Sequence, residues 1–279
     1  MNILLVVNEQ KDPEYRLANR VSAAIGNRAS LFLDGTHRES FVQGAKKISE
    51  NEYSMIDVIL VIGGDGTLLS VAKTAVQLNV PVVGINSGRL GFLSEIEQDE
   101  IEDGINKLLE GDYFIEERML LCTSVDQQET IALNDIVVTR ANATLKILEL
   151  DVYIDDEYVD DFKADGIIIS TPTGSTAYSL SAGGPIVDPS LDSMIITPVC
   201  PHKMYSRTII VPPEKTVKVK CKTSIDNDAV IAADSEILGK LSRNESVTIR
   251  VAQQKFKLIR FKGYQFFGVL HNKLVKKED

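Results

Sequence analysis

The sequence predicts two domains, an N-terminal α/β domain with a Rossmann-like parallel sheet and an all-β C-terminal domain. In the first third, apolar strand patterns alternate with helix patterns, which implies parallel strands joined by right-handed crossovers. From residue 113 to about 258, short β-branched runs separated by turn residues favour an antiparallel domain. We expect the α/β domain to comprise residues 1–98 with about 259–279, and the β-rich domain residues 99–258.

Each element of the first domain has its own signal. Continuous apolar runs are typical of strands buried on both faces, and they occupy 3–7, 56–62 and 82–85. A helix is predicted to open at Asp12-Pro13, where Asp12 can cap it, and to end at Gly26. Two further helices are predicted, one over 67–78 after a glycine-rich turn and one over 100–109 that ends at Gly111.

The second domain reads as a series of short strands with one helix. Apolar β-branched runs predict the strands, at 131–138, 147–154, 167–169, 195–198, 209–211, 217–219, 229–233 and 247–251. The one clear helix signal in this region starts near Thr173. These elements would form the β-rich domain around a core of its own.

Composition excludes several classes of function. No apolar run approaches the ~20 residues that a membrane span needs, and three scattered cysteines fit a reducing, cytoplasmic location. The formal net charge of −10 argues against nucleic acid as a partner, because that affinity depends on neutralising phosphates. A polyanionic substrate would need a metal ion, backbone N–H groups or a few placed cations.

A glycine-rich turn follows the second predicted strand and opens a helix. Gly63, Gly64, Gly66 and Thr67 form it, and its glycines would allow positive φ and close approach of the backbone to a phosphate. The segment is neither a P-loop nor a dinucleotide fingerprint, because Leu69 stands where the latter needs glycine. The turn therefore predicts phosphate binding of another kind.

Asp65 stands in the middle of this turn and is its most informative residue. A carboxylate repels phosphate, so its presence in a phosphate-binding turn indicates a separate role. It could hold Mg²⁺, or it could accept the proton of an attacking hydroxyl. The alternative is that Asp65 only caps the helix, since Asp is a favoured cap.

The segment 165–185 combines a strand, a hydroxyl-rich turn and a short helix. Its small hydroxyl residues, among them Thr173, Ser175, Thr176 and Ser181, could donate hydrogen bonds to a sugar or phosphate. Tyr178 offers an aromatic face for an adenine ring. The alternative is a capped helix with a tyrosine in the core.

Two polar neighbours, Asn134 and Asp135, interrupt a strand pattern. Adjacent strand residues face opposite sides, so at least one of them should point toward an interior or a cleft. They could bind ribose hydroxyls or a base. The alternative is a turn or bulge between two strands.

Taken together, these segments resemble the NAD kinase family. The residues that carry the resemblance are Gly-Gly-Asp-Gly-Thr at 63–67, the Asn-Asp pair at 134–135 and the segment 165–184, with support from 84–93 and 198–202. The likeness extends from about residue 57 to 211. A Gly-Gly-Asp-Gly turn alone also occurs in diacylglycerol-type lipid kinases and phosphofructokinases, but the combination is highly specific.

The resemblance implies an activity and its partners. The family transfers the γ-phosphate of ATP to the 2′-hydroxyl of the adenosine ribose of NAD, giving NADP and ADP. The resemblance also implies a site in the cleft between the two domains, with Asp65 as general base. ATP would be the phosphate donor, and Mg²⁺ or another divalent cation the cofactor. Members are usually dimers or tetramers whose second subunit helps complete the NAD site, so a homo-oligomer, with a homotetramer as one form, is implied.

The resemblance and the hydroxyl-rich chemistry together give a set of expected NAD-binding residues. They are Asp65, Gly66, Phe92, Asn134, Asp135, Lys146, Lys163, Asp165, Thr173, Ser175, Thr176, Ala177, Tyr178 and Ser181. No direct metal ligand is identified among them. One position departs from the family, because Glu236 stands where many members have glutamine and cannot donate amide hydrogen bonds.

Two rival functions make different demands on the sequence. A lipid kinase of the diacylglycerol or sphingosine type would need a membrane-facing apolar or basic surface, which the acidic composition does not support. A non-catalytic NAD(P)-binding sensor would have no need of a base at Asp65. A mixture of ATP, Mg²⁺ and NAD assayed for NADP separates all three.

Overall fold

The computed structural model describes residues 1–34, 42–88, 91–141, 147–203, 205–222, 229–263 and 266–275. The chain divides into two compact units, one of Met1–Glu117 with Phe256–Asp279 and the other of Arg118–Lys255. The prediction of a parallel α/β unit and an antiparallel β unit is confirmed. None of the helices in the described ranges is long and apolar enough to cross a membrane.

The first unit is built on a parallel sheet. Its strands are β1 (Asn2–Val7), β2 (Ser30–Leu33), β3 (Lys46–Lys47), β4 (Val58–Gly63) and β5 (Val82–Asn86). They lie in the order β3-β2-β1-β4-β5, and each neighbouring pair is parallel. The strand order therefore reverses between β1 and β4, and doubly wound folds bind ligands outside the carboxyl ends of the strands at such a point.

The described residues contain five α-helices, of which four belong to the first unit. In chain order the five are α1 (Arg16–Ile25), α2 (Asp65–Leu78), α3 (Ile101–Glu110), α4 (Tyr178–Ser181) in the second unit, and α5 (Phe266–Val275). The start predicted for α1 is wrong by a few residues, because Tyr15 adopts a left-handed φ of 53° just before it. Asp12 still serves the helix, since its buried carboxylate accepts the N–H groups of Leu17 and Ala18 at 3.2 and 3.0 Å.

The core of the first unit lies between its sheet and its helices. Every residue of β4 is buried, as expected of a central parallel strand. Val21 and Ile25 of α1 pack into the same core as Ile105 and Leu108 of α3. This packing fixes the carboxyl ends of β1 and β4, where the glycine-rich turn begins.

The second unit consists mainly of antiparallel strands. They are β6 (Phe114–Val125, which starts in the first unit), β7 (Gln128–Ala132), β8 (Asp135–Arg140), β9 (Leu148–Ile154), β10 (Glu157–Ala164), β11 (Gly166–Ser170), β12 (Met194–Val199), β13 (Ile209–Val211), β14 (Val217–Cys221), β15 (Ala229–Ala233), β16 (Glu236–Leu241) and β17 (Ser246–Arg260, which ends in the first unit). One sheet has the order β13-β12-β11-β8-β15-β16. The strands β10, β9, β14 and β17 form a second layer, and both layers contribute to one core.

Two details of the second unit differ from the prediction. The strand predicted over 131–138 is two strands, since β7 ends at Ala132 and β8 starts at Asp135. Leu133 and Asn134 form a bend between them, which is the alternative considered for the Asn-Asp pair. The helix near Thr173 is a short 3-10 helix, Thr173–Thr176, followed by the four-residue α4.

Candidate active site

The glycine-rich turn lies at the carboxyl end of β4, beside the point where the strand order reverses. Gly63 ends β4, Gly64 is the N-cap of α2 with φ −123°, and Asp65 is the first helical residue. None of the three glycines has a positive φ, so that expectation is wrong. At Gly63, close packing rather than a left-handed backbone explains why glycine is needed.

Neighbouring side chains fill the space beside two of these glycines. A Cβ on Gly63 would lie 2.4 Å from the Thr67 hydroxyl, which accepts a hydrogen bond from the Asn8 side chain at 3.0 Å. A Cβ on Gly64 would lie 2.5 Å from the Nζ of Lys11. Gly66 has no neighbouring atom within 4 Å of that position. Gly63 is therefore structural, while the surface at Gly66 is open.

Lys11 brings a positive charge to the start of α2. The N-terminus of a helix is already the positive end of its dipole, with N–H groups that lack partners within the helix. An ammonium over Gly64 adds to that charge. An anionic group at this position would interact favourably with both, which is the property required for phosphate binding.

The Asp65 carboxylate is held by backbone N–H groups of a neighbouring segment. Its Oδ2 accepts the N–H of Phe92 at 3.0 Å, and its Oδ1 accepts that of Leu93 at 3.1 Å. A Cβ on Gly91 would lie 2.2 Å from Oδ1, so only glycine allows this approach. The helix-cap alternative is wrong, because Asp65 lies inside α2 and no side chain caps that helix.

An aromatic and basic cluster surrounds this carboxylate within the first unit. The Nζ of Lys273, on α5, lies 3.4 Å from Oδ2 of Asp65 and 4.2 Å from the ring centroid of Phe92. The rings of Phe92 and Phe266 are 5.7 Å apart. The prediction of a role for Phe92 rested on its motif, whereas Lys11 and Lys273 carried no motif and were missed.

In the second unit, a turn residue fixes the bend that carries Asn134 and Asp135. The Asp234 carboxylate accepts the N–H groups of Leu133, Asn134 and Asp135 at 2.6, 2.7 and 3.2 Å. Burial, with repulsion from Asp234, raises the pKa of Asp135 to about 7. Sequence reasoning missed Asp234, since it singled out only Glu236 of this segment.

The hydroxyl-rich segment is attached to the same bend. The Thr171 hydroxyl donates to Leu133 O at 2.6 Å, and the Thr171 N–H donates to Asn134 O at 2.9 Å. A Cβ on Gly174 would lie 2.1 Å from Asn134 O. The fold therefore brings together the two motifs that the sequence keeps some 30 residues apart.

The hydroxyl groups of this segment divide into buried and accessible sets. Ser175 is buried and exchanges hydrogen bonds with the backbone of Val187, both at 3.1 Å. The buried Thr173 hydroxyl accepts a hydrogen bond from Arg118 at 3.3 Å.

The accessible set includes Tyr178. Thr176 and Ala177 are half-buried, Ser181 is exposed, and Tyr178 is 44% exposed. The core-tyrosine alternative is therefore wrong, because the ring of Tyr178 does not lie in the core. These four residues form the face of the segment that a ligand could reach.

Three predicted residues remain, of which two lie on or beside the strands β10 and β11 and the third is not among the described residues. Asp165 pairs with Arg140 at 3.0 Å, and Lys163 pairs with Glu149 at 2.9 Å. Lys146 lies outside the described residues. Within the part of the chain that the structure describes, no group of three His, Cys, Asp or Glu side chains could hold a metal ion.

Comparison with protein families gives two matches that together cover most of the chain. The ATP-NAD kinase N-terminal domain matches residues 3–113, and the ATP-NAD kinase C-terminal domain matches residues 133–261. The NAD kinase of Caldicellulosiruptor bescii is 38% identical over 274 residues, covering 98% of this chain and 99% of that protein. The NAD kinase of Caldicellulosiruptor saccharolyticus is 41% identical over 219 residues, 78% of this chain and 82% of that protein.

Two solved structures have a similar fold. Yeast NADH kinase complexed with NADH has a TM-score of 0.84 at 21% identity, covering 100% of this chain and 88% of that one. An NAD kinase from Archaeoglobus fulgidus in complex with ATP has a TM-score of 0.75 at 25% identity and covers 98% of both chains.

Proposed function

The chain belongs to the NAD kinase family, and from that premise we propose that it transfers the γ-phosphate of ATP to the 2′-hydroxyl of the adenosine ribose of NAD. The products are NADP and ADP. Asp65 is the general base in this proposal. The observation that carries it is a partly exposed carboxylate held at the first residue of α2, with the ammonium groups of Lys11 and Lys273 close to the same helix start.

The geometry of Asp65 suits proton acceptance. Each of its two oxygens accepts one backbone N–H, and Oδ2 also contacts the ammonium of Lys273 at 3.4 Å. These contacts fix the carboxylate and leave a further acceptor site on Oδ1. Its side chain is 29% exposed, so a substrate hydroxyl can reach it. A base in this position would take the proton of the 2′-hydroxyl as that oxygen attacks the γ-phosphorus.

The donor phosphates are assigned to the surface around the glycine-rich turn. The open surface at Gly66 leaves room for them beside the N–H groups at the start of α2, and Lys11, which lies against Gly64, and Lys273 supply positive charge. Thr67 and Gly63 hold the turn in shape. When Mg²⁺ is bound to the phosphates, it neutralises their charge and orients the γ-phosphate. No protein ligand to the metal is assigned.

NAD recognition is assigned to the second unit, together with Gly66 and Phe92 of the first. Asn134 and Asp135 offer an amide and a carboxyl for ribose or base, and Tyr178 offers its exposed ring for adenine. The remaining proposed contacts are Lys146, Lys163, Asp165, Thr173, Ser175, Thr176, Ala177 and Ser181. We further propose a homo-oligomer, dimer or tetramer, acting in the cytoplasm.

The test is a direct assay of the purified chain. ATP, Mg²⁺ and NAD are mixed with it, and NADP is measured by an NADP-specific dehydrogenase cycle. NADP formation with stoichiometric ADP supports the proposal. NAD binding without NADP formation would point to a sensor, and phosphorylation of diacylglycerol or sphingosine instead of NAD would point to a lipid kinase. Parallel reactions with NADH and polyphosphate define the acceptor and donor range.

A further inference from the structure

Residues 91–95, here called the clamp segment, hold Asp65 from one side and are themselves held from the other. The N–H groups of Phe92 and Leu93 bond the carboxylate at 3.0 and 3.1 Å. The carbonyl groups of the same residues accept hydrogen bonds from Arg260, at 3.3 Å from Phe92 O and 3.2 Å from Leu93 O.

One peptide unit links the two charged groups directly. The carbonyl of Phe92 and the N–H of Leu93 belong to the same planar trans peptide, whose C=O and N–H point in opposite directions. Arg260 donates to the carbonyl, and the N–H donates to Asp65. A hydrogen-bond chain of this kind is polarised along its length and fixes the orientation of the peptide between its ends.

Arg260 is itself rigidly held. Its side chain is only 10% exposed, and its Nε and Nη1 contact Glu116 and Glu95 at 2.6 and 3.1 Å. Its Nη1 also donates to Ser94 O at 3.2 Å. The other oxygen of Glu95 accepts the N–H of Phe261 at 2.8 Å. The planar guanidinium therefore uses its fork of donors to fix three successive carbonyls of the clamp segment.

We propose that Arg260 is a positioning residue for catalysis, which sets the orientation of the Asp65 carboxylate through the clamp segment. The inference rests on the proposed function for the role of Asp65, and on the contacts above for the role of Arg260. It differs from a purely structural role, because it predicts an effect on turnover that is transmitted through one carboxylate.

Arg260→Lys is the informative substitution. Lysine keeps a positive charge between Glu95 and Glu116, so the chain should fold, but it lacks the planar fork and cannot reach the same carbonyls together. Arg20→Lys is the matched control, since Arg20 forms a two-bond fork with Glu102 at 3.1 and 2.8 Å on the surface of the same unit.

The first measurement is steady-state kinetics. We expect Arg260→Lys to lower kcat roughly 10- to 100-fold, as a misplaced catalytic group does, with the NAD dissociation constant changed less than about threefold. In an Asp65→Asn background, Arg260→Lys should lower kcat little further, because both substitutions act through the carboxylate of Asp65. A kcat within about twofold of wild type, or an equal fractional loss in both backgrounds, would overturn the proposal.

The second measurement is independent of activity. Amide hydrogen exchange at Phe92 and Leu93 should become faster in Arg260→Lys and stay unchanged in Arg20→Lys, because only the former releases the clamp segment. Unchanged protection at both amides would contradict the proposal. If the wild-type chain forms no NADP, the proposed function fails, whereas the exchange rates still decide whether Arg260 holds the clamp segment.

Discussion

At the scale of single residues, Asp65 carries the proposed chemistry, and its replacement by asparagine is the central test. Asparagine is almost the same size, but it cannot act as a base and can accept only one of the two N–H groups at Phe92 and Leu93. We expect kcat to fall roughly 10²–10⁴-fold with NAD affinity nearly intact.

Asp12→Asn is the control for this substitution. Asp12 is a buried carboxylate of the same unit that also accepts two backbone N–H groups. It should lose stability without the selective loss of turnover. A kcat for Asp65→Asn within about threefold of wild type, well short of that range, would remove Asp65 from the role of base. Partial recovery at high Mg²⁺ would instead indicate a metal-binding role.

Tyr178 is the residue whose exposure gives the clearest prediction for NAD binding. Its ring is 44% exposed, so Tyr178→Ala should change stability little, as surface substitutions do. Loss of a stacking ring should weaken NAD binding by about 1–3 kcal/mol. Calorimetric titration with NAD measures this, and Tyr205→Ala, at an 84% exposed tyrosine of the same unit, should leave the affinity unchanged. Equal affinities for wild type and Tyr178→Ala would exclude stacking.

The sequence predicted site residues where a local motif marked them, and it missed those defined by distant contacts. Asp65, Phe92 and Tyr178 stand in short distinctive segments. Arg260 contacts Phe92 across 168 positions, and Lys273 contacts Asp65 across 208. Contacts between residues so far apart in the sequence depend on the topology of the whole unit, so no local sequence pattern could predict them.

At the scale of elements, the turn of the β15–β16 hairpin holds the bend between two other strands, β7 and β8, through hydrogen bonds. Asp234 and Ser235 both have positive φ, at 45° and 74°, as in the two-residue turns that suit the twist of a hairpin. This geometry places the Asp234 carboxylate under the bend between β7 and β8. The hairpin was missed because only Leu241 of β16 is buried, so the strand lacks a continuous apolar run.

Asp135, at the start of β8, makes the stability of the second unit depend on pH. Burial raises its pKa to about 7, above the unfolded value of 3.8. A carboxyl with a raised pKa takes up a proton on folding, so this group lowers stability progressively as pH rises from about 4 to about 7.

Asp135→Asn should therefore stabilise the ligand-free protein above pH 7, by on the order of 1–4 kcal/mol, and much less at pH 4.5. Thermal unfolding at both pH values measures the difference. Asp151→Asn is the control, because this equally buried carboxylate lies 3.3 Å from the ammonium of Lys222 and should lose stability on neutralisation. A gain for Asp135→Asn that is the same at both pH values would contradict the assignment.

Element boundaries were predicted where apolar runs are continuous and missed where they are interrupted. β1, β4 and β5 were each placed to within two residues, since buried parallel strands read as unbroken apolar runs. β17 runs over 15 residues, yet the prediction covered five, because polar residues follow Val251 on its exposed face. Exposed strand faces carry little information about where a strand ends.

At the scale of the whole molecule, the change from helix-strand alternation to short β-branched runs was enough to predict the fold class. The parallel order β3-β2-β1-β4-β5 in one unit and the antiparallel pairings of the other confirm it. The strand order itself could not be read from the sequence, since it depends on which strands pair after the chain has crossed the sheet. That order is what brings the glycine-rich turn and Lys11 to neighbouring strand ends.

The overall charge of the molecule leads to the last prediction, a strict requirement for a divalent cation. The chain has a formal net charge of −10, and the proposed reaction places a triphosphate beside the carboxylate of Asp65. Among the described residues, Lys11 and Lys273 supply two positive charges there, and Lys273 already pairs with Asp65. Mg²⁺ on the donor phosphates would offset the remaining repulsion and neutralise charge that develops during transfer.

Excess EDTA should therefore abolish NADP formation, and added Mg²⁺ should restore it in proportion to the Mg²⁺–ATP complex. Melting temperature and NAD affinity without ATP serve as controls, and both should be the same with and without EDTA, because the metal is assigned to the donor and not to the fold. Full turnover in EDTA would show that the protein alone compensates the phosphates, and a fall in melting temperature would show that the metal is structural.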